Sequence, residues 1–554
     1  MAPVLRIIPL GGVGEIGKNM TVFEYDDQIV VIDAGLMFPE QEMFGVDFVV
    51  PDVSYLRERK DQVKAFLITH AHEDHIGGLP FCLPYFPGVP IYASPLARGL
   101  LGGKLKEHKL NANPLINFEP GVTVDLGAFQ ATPFRIGHSI PDAMGIALRT
   151  PVGLVIHTGD FKFDHTPVDG KPSDLHALAG YGGDANGGVL CLMSDSTRAE
   201  NPGYTPSEKT VGDAFRQIME GLQGRVIVAT FASNIARVQQ VFDAAATFNR
   251  KVAVIGRSME QNVRIATDLG YLKYDPKMLI SKDKLREVPA NELCIATTGA
   301  QGEPMAGLAR MANRDHRWVE IEPTDTVIVS ASPIPGNEES VGRTIDNLFK
   351  NGANVFYHTI MRAHVSGHAS QEELKLMINL TRPKHFIPIH GEFRMLVQHG
   401  RLAAELGVAA ENIFIIENGQ PIEFSADGTA RRAKPVEAGM VFVDGLSVGE
   451  VGDIVLRDRR ALAADGMFLV VITVDKQTGR LIGKPEIVTR GFVGGPDDPV
   501  IAGAADRVRS AIDTPGDHTS EITLLKAQIK DGLSQYLYER TKRRPMVFPV
   551  VVEV

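Results

Sequence analysis

The feature that most constrains this chain is one hexad. In Thr69-His70-Ala71-His72-Glu73-Asp74-His75-Ile76-Gly77-Gly78, three histidines and an aspartate stand at H-x-H-x-D-H spacing, directly after the apolar run 65–69. In a loop, alternate residues can point the same way. His70 and His72 can therefore share one ion while Asp74 and His75 turn towards a second. Neutral imidazoles and carboxylates suit zinc or manganese. A solvated polar loop is the competing account, but the chain has only 16 histidines, and three of them fall in these six positions. Cys82, Cys191 and Cys294 are too far apart for a disulfide framework or a thiolate metal site, and they fit a reducing cytoplasm.

One loop cannot complete two coordination spheres. Three further candidates follow strand-like runs: His138 in Arg135-Ile136-Gly137-His138-Ser139-Ile140-Pro141-Asp142, Asp160 in His157-Thr158-Gly159-Asp160-Phe161, and His390 in Ile387-Pro388-Ile389-His390-Gly391-Glu392. A carboxylate has two oxygens that can each take a metal, which makes Asp160 the candidate bridge. His157 and His165 flank Asp160 and stay outside the metal set, because strand-end histidines are more often structural.

At about 150 residues per domain, 554 residues predict about three or four units. Up to residue 205 the pattern is of short strands (5–9, 20–25, 29–33, 65–69, 152–157, 189–194) broken by Gly, Pro and Asp. Helices at 208–221, 235–248 and 259–269 then alternate with strands at 225–230, 252–255, 292–297 and 326–330. That alternation predicts βαβ units and a parallel sheet across 206–359. A strand at 354–358 leads back to the His-rich loops, 449–462 reads as a linker, and 463–554 reads as a small α+β domain with strands 467–475 and 546–551 and helix 521–540. The N-terminus shows no signal-peptide architecture, and no run approaches the ~18 apolar residues of a membrane span. The net charge of −10, from 57 basic and 67 acidic residues, votes weakly against nucleic acid.

Further residues carry a resemblance. His70/His72/Asp74/His75, His138 and Asp160 resemble the ordered motifs of the metallo-β-lactamase fold. Asp33, in Val31-Ile32-Asp33-Ala34-Gly35, resembles its first motif, where the aspartate orients the loop and binds no metal. Ser194-Asp195-Ser196-Thr197 resembles motif A of the β-CASP nucleases. His368, in His364-Val365-Ser366-Gly367-His368-Ala369-Ser370, resembles motif B, and His390 resembles motif C, where histidine is the pattern of RNA-cleaving members. The block 206–359 resembles the β-CASP insertion, with Phe231-Ala232-Ser233-Asn234 at its expected loop. With the tail and the length, the whole chain resembles the bacterial ribonuclease J family.

The resemblance implies an α/β fold: a metallo-β-lactamase αββα sandwich (1–205 and 360–448), an inserted β-CASP α/β domain (206–359) and a small C-terminal α+β domain. It implies two divalent ions per subunit, zinc or manganese. One would be held by His70, His72, His138 and Asp160, and the other by Asp74, His75, Asp160 and His390. Catalytic roles fall to Asp74, Asp195 and His368, the last two managing protons and charge at the leaving group. Substrate contacts fall to Ser233, Asn234 and Ile235 at a helix N-terminus, to His364, Val365, Ser366, Gly367 and His368, and to Arg257 and Ser258 at a second strand-to-helix junction. The implied activity is 5′-to-3′ exonuclease action favouring 5′-monophosphate ends, plus endonuclease action, on single-stranded RNA in maturation and decay. Dimers or tetramers and RNA-degradation complex partners are implied as well.

Rival readings are weaker. Asp195 also suits a helix cap. A hydrolase of a small ester or thioester explains the metal motifs but not the insertion or His368. A non-catalytic RNA-binding subunit would be expected to have lost ligands, and a DNA nuclease sits poorly with His390. Gly12-Val13-Gly14-Glu15-Ile16-Gly17-Lys18-Asn19 nearly matches a P-loop but has Asn19 where Ser or Thr is needed, so glycines of a tight strand connection are the simpler account. Thr298-Gly299-Ala300-Gln301-Gly302-Glu303 reads as a loop. Arg431-Arg432-Ala433-Lys434 and Thr541-Lys542-Arg543-Arg544 suit a solvated face, a subunit contact or RNA phosphates. Asp47 and Asp444 are candidates for an accessory cation.

Overall fold

Two sheets pack face to face through alternating apolar side chains. The first has the order Ala430–Arg432, Ile422–Phe424, Leu5–Gly11, Met20–Tyr25, Gln28–Ile32, Val63–Leu67, Ile91–Ala93, Leu115–Asn117. The second has the order His385–Ile389, Val189–Asp195, Leu154–His157, Met144–Arg149, Gln130–Arg135, Val124–Asp125. Ile7, Phe23, Val30, Ile32 and Leu67 of one meet Ala131, Ile146, Val155, Met193 and Ile387 of the other in a single core. The intervening residues point outwards: Ile8, Val22 and Phe66 pack under Leu79, Leu96 and Leu101, while Ile156, Leu192 and Phe386 pack under Leu374, Met377 and Leu402. The period of two along each strand thus builds an αββα sandwich.

This computed structural model describes residues 3–554 except 41, 111, 184–186, 301–305, 334–336, 359, 362, 446, 479, 493–497 and 513–521. Residues 301–303 of the Gly-rich run, and Glu521 at the start of the expected tail helix, lie outside the described residues. The chain divides into two units, Met1–Phe38 with Phe48–Val441 and Pro39–Asp47 with Phe442–Val554.

Within the first unit, the insertion forms the expected parallel sheet, in the order Leu279–Ile280, Lys251–Ile255, Leu293–Thr297, Val226–Ala229, Thr326–Val329, Asn354–Phe356. Its two faces are covered by different helices, Val238 and Met259 on one side and Leu308, Met311 and Ile345 on the other. Helix Pro95–Glu107 of the sandwich lies close to helix Arg257–Asp268: a Cβ on Gly99 would stand 2.8 Å from Ile265 Cγ2.

The second unit has its own core. Strand Met467–Val474 pairs antiparallel with Leu481–Arg490 and parallel with Met546–Glu553. Phe468, Val470 and Ile472 pack under Val508 of helix Pro499–Ile512 and Leu533 and Leu537 of helix Ile522–Thr541. The reading of 449–462 as a linker needs correction, because helix Asp453–Asp465 occupies most of it. Only Leu456 of that helix is buried, so it carries no apolar stripe for sequence reading to detect.

Strand direction positions the site. Leu154–His157, Val189–Asp195 and His385–Ile389 run parallel side by side, so their carboxyl ends share one edge, which carries Asp195 at the end of its strand and Asp160 and His390 just beyond theirs. In the other sheet Gln28–Ile32 and Val63–Leu67 are parallel and deliver Asp33 and the hexad. Placing polar groups beyond the carboxyl ends of parallel strands is the general way such sheets build sites.

Candidate metal centre

The hexad breaks the chain direction just past a strand. His70 lies in the turn, and helix Glu73–Ile76 carries Asp74 and His75. Asp33, in the left-handed region at φ 60°, braces the turn: its Oδ1 accepts from Thr69 N and its Oδ2 from Thr69 Oγ1, both at 2.8 Å. Asn19 Nδ2 donates to the Asp74 carbonyl at 3.0 Å and stands 3.2 Å from His75 Nε2. The near-P-loop is therefore part of this frame. Gly12 (φ 83°) gives its carbonyl to His390 N at 2.7 Å, and a Cβ there would stand 2.1 Å from Asn19 Oδ1.

Seven side chains converge as two groups sharing one residue. His70, His72, His138 and Asp160 place one ligand atom each within 4.8 Å of one another, and so do Asp74, His75, Asp160 and His390. His70 Nε2 and His138 Nε2 lie 3.0 and 3.1 Å from His72 Nδ1. Asp160 Oδ2 is 3.7 Å from His70 Nε2 and 3.4 Å from His390 Nε2, while Oδ1 is 3.2 Å from His75 Nε2.

The back of four of the five rings assigns its proton. His75 Nδ1 donates to Asp33 Oδ2 at 2.7 Å, and His138 Nδ1 donates to the Gly367 carbonyl at 2.8 Å. Thr69 Oγ1 gives its proton to Asp33 and so accepts from His70 Nδ1 at 3.1 Å. Thr197 Oγ1 gives its proton to Asp195 Oδ1 and so accepts from His390 Nδ1, both at 2.7 Å. These partners leave lone pairs on the inward nitrogens, which face one another and the carboxylates. Asp160 Oδ1 is buried and accepts no hydrogen bond of good geometry, despite lying near His75. Converging lone pairs and an orphaned carboxylate oxygen fit divalent cations.

The electrostatics agree. Burial holds His70, His72 and His138 neutral, His72 falling to about 4, as metal ligation requires. Burial also opposes charge on His75 and His390, but Asp160 with Asp74, Asp33 and Asp195 outweighs it and raises both: the carboxylates draw positive charge into the site, and a divalent cation would supply it in place of the second ring protons. Burial alone would raise the carboxyls of Asp74 and Asp160; the facing histidines hold both well below the usual carboxylate range.

Asp195 and His368 meet beside this pair, with His368 Nδ1 2.8 Å from Asp195 Oδ2. His368 keeps 20% of its side chain exposed against 1% for Asp195. Asp195 Oδ1 also accepts from Thr197 N at 2.9 Å within a turn, but no helix starts there, the next being Lys209–Met219, so the helix-cap reading does not hold and the pairing with His368 does.

The expected substrate contacts divide. Along 364–368, His364, Ser366 and His368 are partly exposed while Val365 and Gly367 are buried, so the first three share a face. Ser366 Oγ accepts from His368 N at 3.1 Å. Gly367 is sterically required, since a Cβ would lie 2.7 Å from His138 Cε1. Asn234 is buried and caps helix Ile235–Thr247, its Oδ1 accepting from Arg237 N at 3.0 Å, and Ile235 N donates to the Ser233 carbonyl at 2.8 Å. These two groups are thus already engaged within the fold, as the spacing of an ordinary N-cap suggests, while Ser233 stays half-buried. Arg257 and Ser258 are exposed at the start of their helix, on the carboxyl edge of the inserted sheet.

Other expectations resolve simply. His157 is buried and its Nδ1 accepts from Gly159 N at 3.1 Å. Asp444 pairs with Arg459 at 2.5 Å, and Asp47 accepts from Gly445 N at 2.7 Å. Arg431 pairs with Glu423 at 2.9 Å and Arg543 with Asp465 at 3.2 Å. Sequence reasoning missed Thr69, Asn19 and Glu373. It also left His399 without a role, although its Nδ1 lies 3.0 Å from Ser196 Oγ in motif A. Thr197 was visible within Ser194-Asp195-Ser196-Thr197, but not its bond to His390.

Comparison with known proteins follows the same division. Residues 13–230 match the metallo-beta-lactamase superfamily, and 223–348 match the family described as "Ribonuclease J, beta-CASP domain". Residues 357–415 match the "Zn-dependent metallo-hydrolase RNA specificity domain", and 454–554 the "Ribonuclease J C-terminal domain". The chain is 46% identical to Ribonuclease J2 of Bacillus subtilis (strain 168) over 99% of each chain. It is 44% identical to Ribonuclease J of Thermus thermophilus over 99% of this chain and 95% of that one. A crystal structure of a protein of unknown function from Enterococcus faecalis V583 shares the fold (TM-score 0.55, 15% identity, 76% of this chain and 100% of that one).

Proposed function

The chain belongs to the ribonuclease J family and is a metal-dependent ribonuclease, and from that premise we propose a 5′-to-3′ exonuclease with added endonuclease action on single-stranded RNA, favouring 5′-monophosphate ends. The observation that carries this reading is the pair of His/Asp groups joined at Asp160 with the Asp195–His368 pair beside them. We assign two divalent ions, zinc or manganese, to His70, His72, His138 and Asp160, and to Asp74, His75, Asp160 and His390. When bound, they supply Lewis-acid activation of the phosphodiester and of the attacking water. Asp33, Thr69, Thr197 and the Gly367 carbonyl hold the ligand rings in one tautomer. Asp195 Oδ2 accepts from His368 Nδ1 and so orients the ring, which makes His368 Nε2 the atom that delivers a proton to the leaving 3′-oxygen. Ser366, His364 and Ser233 bind and orient phosphate at the 5′ end.

We assign 1–38, 48–205 and 360–441 to the sandwich, 206–359 to the insertion, and 442–554 with 39–47 to the tail unit. A homodimer or tetramer is supported by the tail sheet, whose Ile482, Phe548, Val550 and Val552 are exposed. Among the described residues no helix is long and apolar enough to cross a membrane. A cytoplasmic location is supported by the three buried, unpaired thiols.

The test is metal-supplemented protein with RNA labelled at the 5′ end as monophosphate, triphosphate or hydroxyl. Release of labelled mononucleotide from the monophosphate form is expected, and His72→Ala or Asp74→Ala should abolish it. Metal-independent cleavage, or full activity in either variant, refutes the assigned site.

A further inference from the structure

Both passages of the chain between sandwich and insertion meet on one side chain. Arg237, on helix Ile235–Thr247, is wholly buried. Its Nε and Nη2 donate to Glu208 Oε1 and Oε2 at 2.7 and 2.8 Å. Glu208 stands where the chain leaves the sandwich. On the return passage, Arg237 Nη1 donates to His364 Nδ1 at 2.7 Å and Nη2 to the Val365 carbonyl at 3.3 Å. Nη1 also donates to the Ser330 carbonyl at 2.8 Å, at the carboxyl edge of the inserted sheet.

A guanidinium has donors only, so His364 Nδ1 must be the acceptor and the ring proton sits on Nε2. Arg237 therefore fixes the tautomer and tilt of His364 and the register of Val365. Because side chains alternate along 364–368, that register also sets which face carries Ser366 and His368. Glu208 is itself held from the sandwich side. Its N donates to Asp164 Oδ2 at 2.8 Å, and Lys162 Nζ lies 4.0 Å from its Oε2 and 3.7 Å from Asp164. Lys162 and Asp164 follow the shared ligand Asp160 by two and four residues.

A buried ion pair is weak grounds for stability in itself, and its attested use is to fix register. We propose that Arg237 is a positioning residue for the ribonuclease reaction, holding 364–367 in the arrangement that receives RNA phosphate and tying that segment to the Asp160 loop. The inference rests on the reading of 364–367 as substrate-binding.

The test compares wild type with Arg237→Lys, which keeps the charge opposite Glu208 but loses the fork. The folded variant should bind metal like wild type by elemental analysis. Its KM for 5′-monophosphorylated RNA should rise roughly 10- to 100-fold with a much smaller fall in kcat, and its preference for monophosphate over hydroxyl ends should shrink. Unchanged KM and end preference in a metal-replete variant overturn the role of Arg237. Wild type without any end preference refutes the functional reading instead. If Arg237→Lys does not fold, Gln240→Ala leaves Arg237 in place and removes the 3.2 Å bond from Gln240 Nε2 to Glu208 Oε1. A several-fold rise in KM there supports the proposal, and wild-type KM and preference overturn it.

Discussion

At the residue scale, the site depends on atoms behind the ligands as much as on the ligands. Thr197 Oγ1 accepts from His390 Nδ1 while donating to Asp195, so Thr197→Val frees one ring and one carboxylate together. Loss of such a supporting partner typically costs 10- to 100-fold in metal affinity or activity. A loss of that size is expected in a chelator-competition titration; wild-type affinity and activity would show that His390 needs no such support. Gly367→Ala makes a different prediction. The added methyl, 2.7 Å from His138 Cε1 and 2.9 Å from Ser139 Oγ, must displace either the His138 ring or the Gly367 carbonyl that holds it, and so spoil the ligand geometry. Metal bound per chain should fall, and full stoichiometry would refute the required close approach. The hexad was legible because its ligands are local. Arg237 was not, because its partners are Glu208 and His364, and neither spacing nor residue type announces them.

At the element scale, helix Gln371–Thr381 does more than cover the sandwich. Its third residue, Glu373, is fully buried and forms a capping box with Ser370. Its Oε1 also accepts from Phe163 N at 2.8 Å, and its Oε2 from Thr205 N at 2.7 Å and Ser370 N at 2.9 Å. Those amides follow Asp160, Asp195 and His368 in the chain, so one carboxylate ties three site loops to one helix end. Glu373→Ala strands three buried N–H groups, each worth about 1–3 kcal/mol. A destabilisation of about 3 kcal/mol or more should appear in denaturant unfolding, and Glu373→Gln, which retains an acceptor, should lose less; equal effects would show that acceptor geometry is irrelevant. The parallel block was legible in sequence because its strands and helices alternate cleanly. Strand Leu481–Arg490 was not: it is an edge strand containing Gly483 and Pro485, with no clean alternation. Helix Pro499–Ile512 escaped for a related reason, since Gly503 packs under Tyr536 where a helical pattern would place a larger side chain.

At the scale of the whole molecule, net charge and RNA binding are reconciled by where the charge sits. The chain carries −10, yet its candidate site is a cluster of His and Asp built to receive cations, whose charge no residue count includes. The basic side chains Arg237, Arg431 and Arg543 are already paired with Glu208, Glu423 and Asp465. Attraction for RNA should therefore be local, confined to the metal pair and the segment 364–368, with little pull from the remaining surface. For single strands, log affinity falls with log salt by about 0.7 per phosphate neutralised. A groove that engages a few phosphates should give a slope shallower than about −3. Binding of a 5′-monophosphorylated oligonucleotide to the metal-loaded Asp195→Asn variant, titrated from low to moderate salt, measures this directly. The same titration with a 5′-hydroxyl oligonucleotide should give weaker binding but nearly the same slope, because the end phosphate adds only one contact. A steep slope shared by both RNAs and by duplex DNA would mean that an extended basic surface drives binding, and that end recognition is secondary.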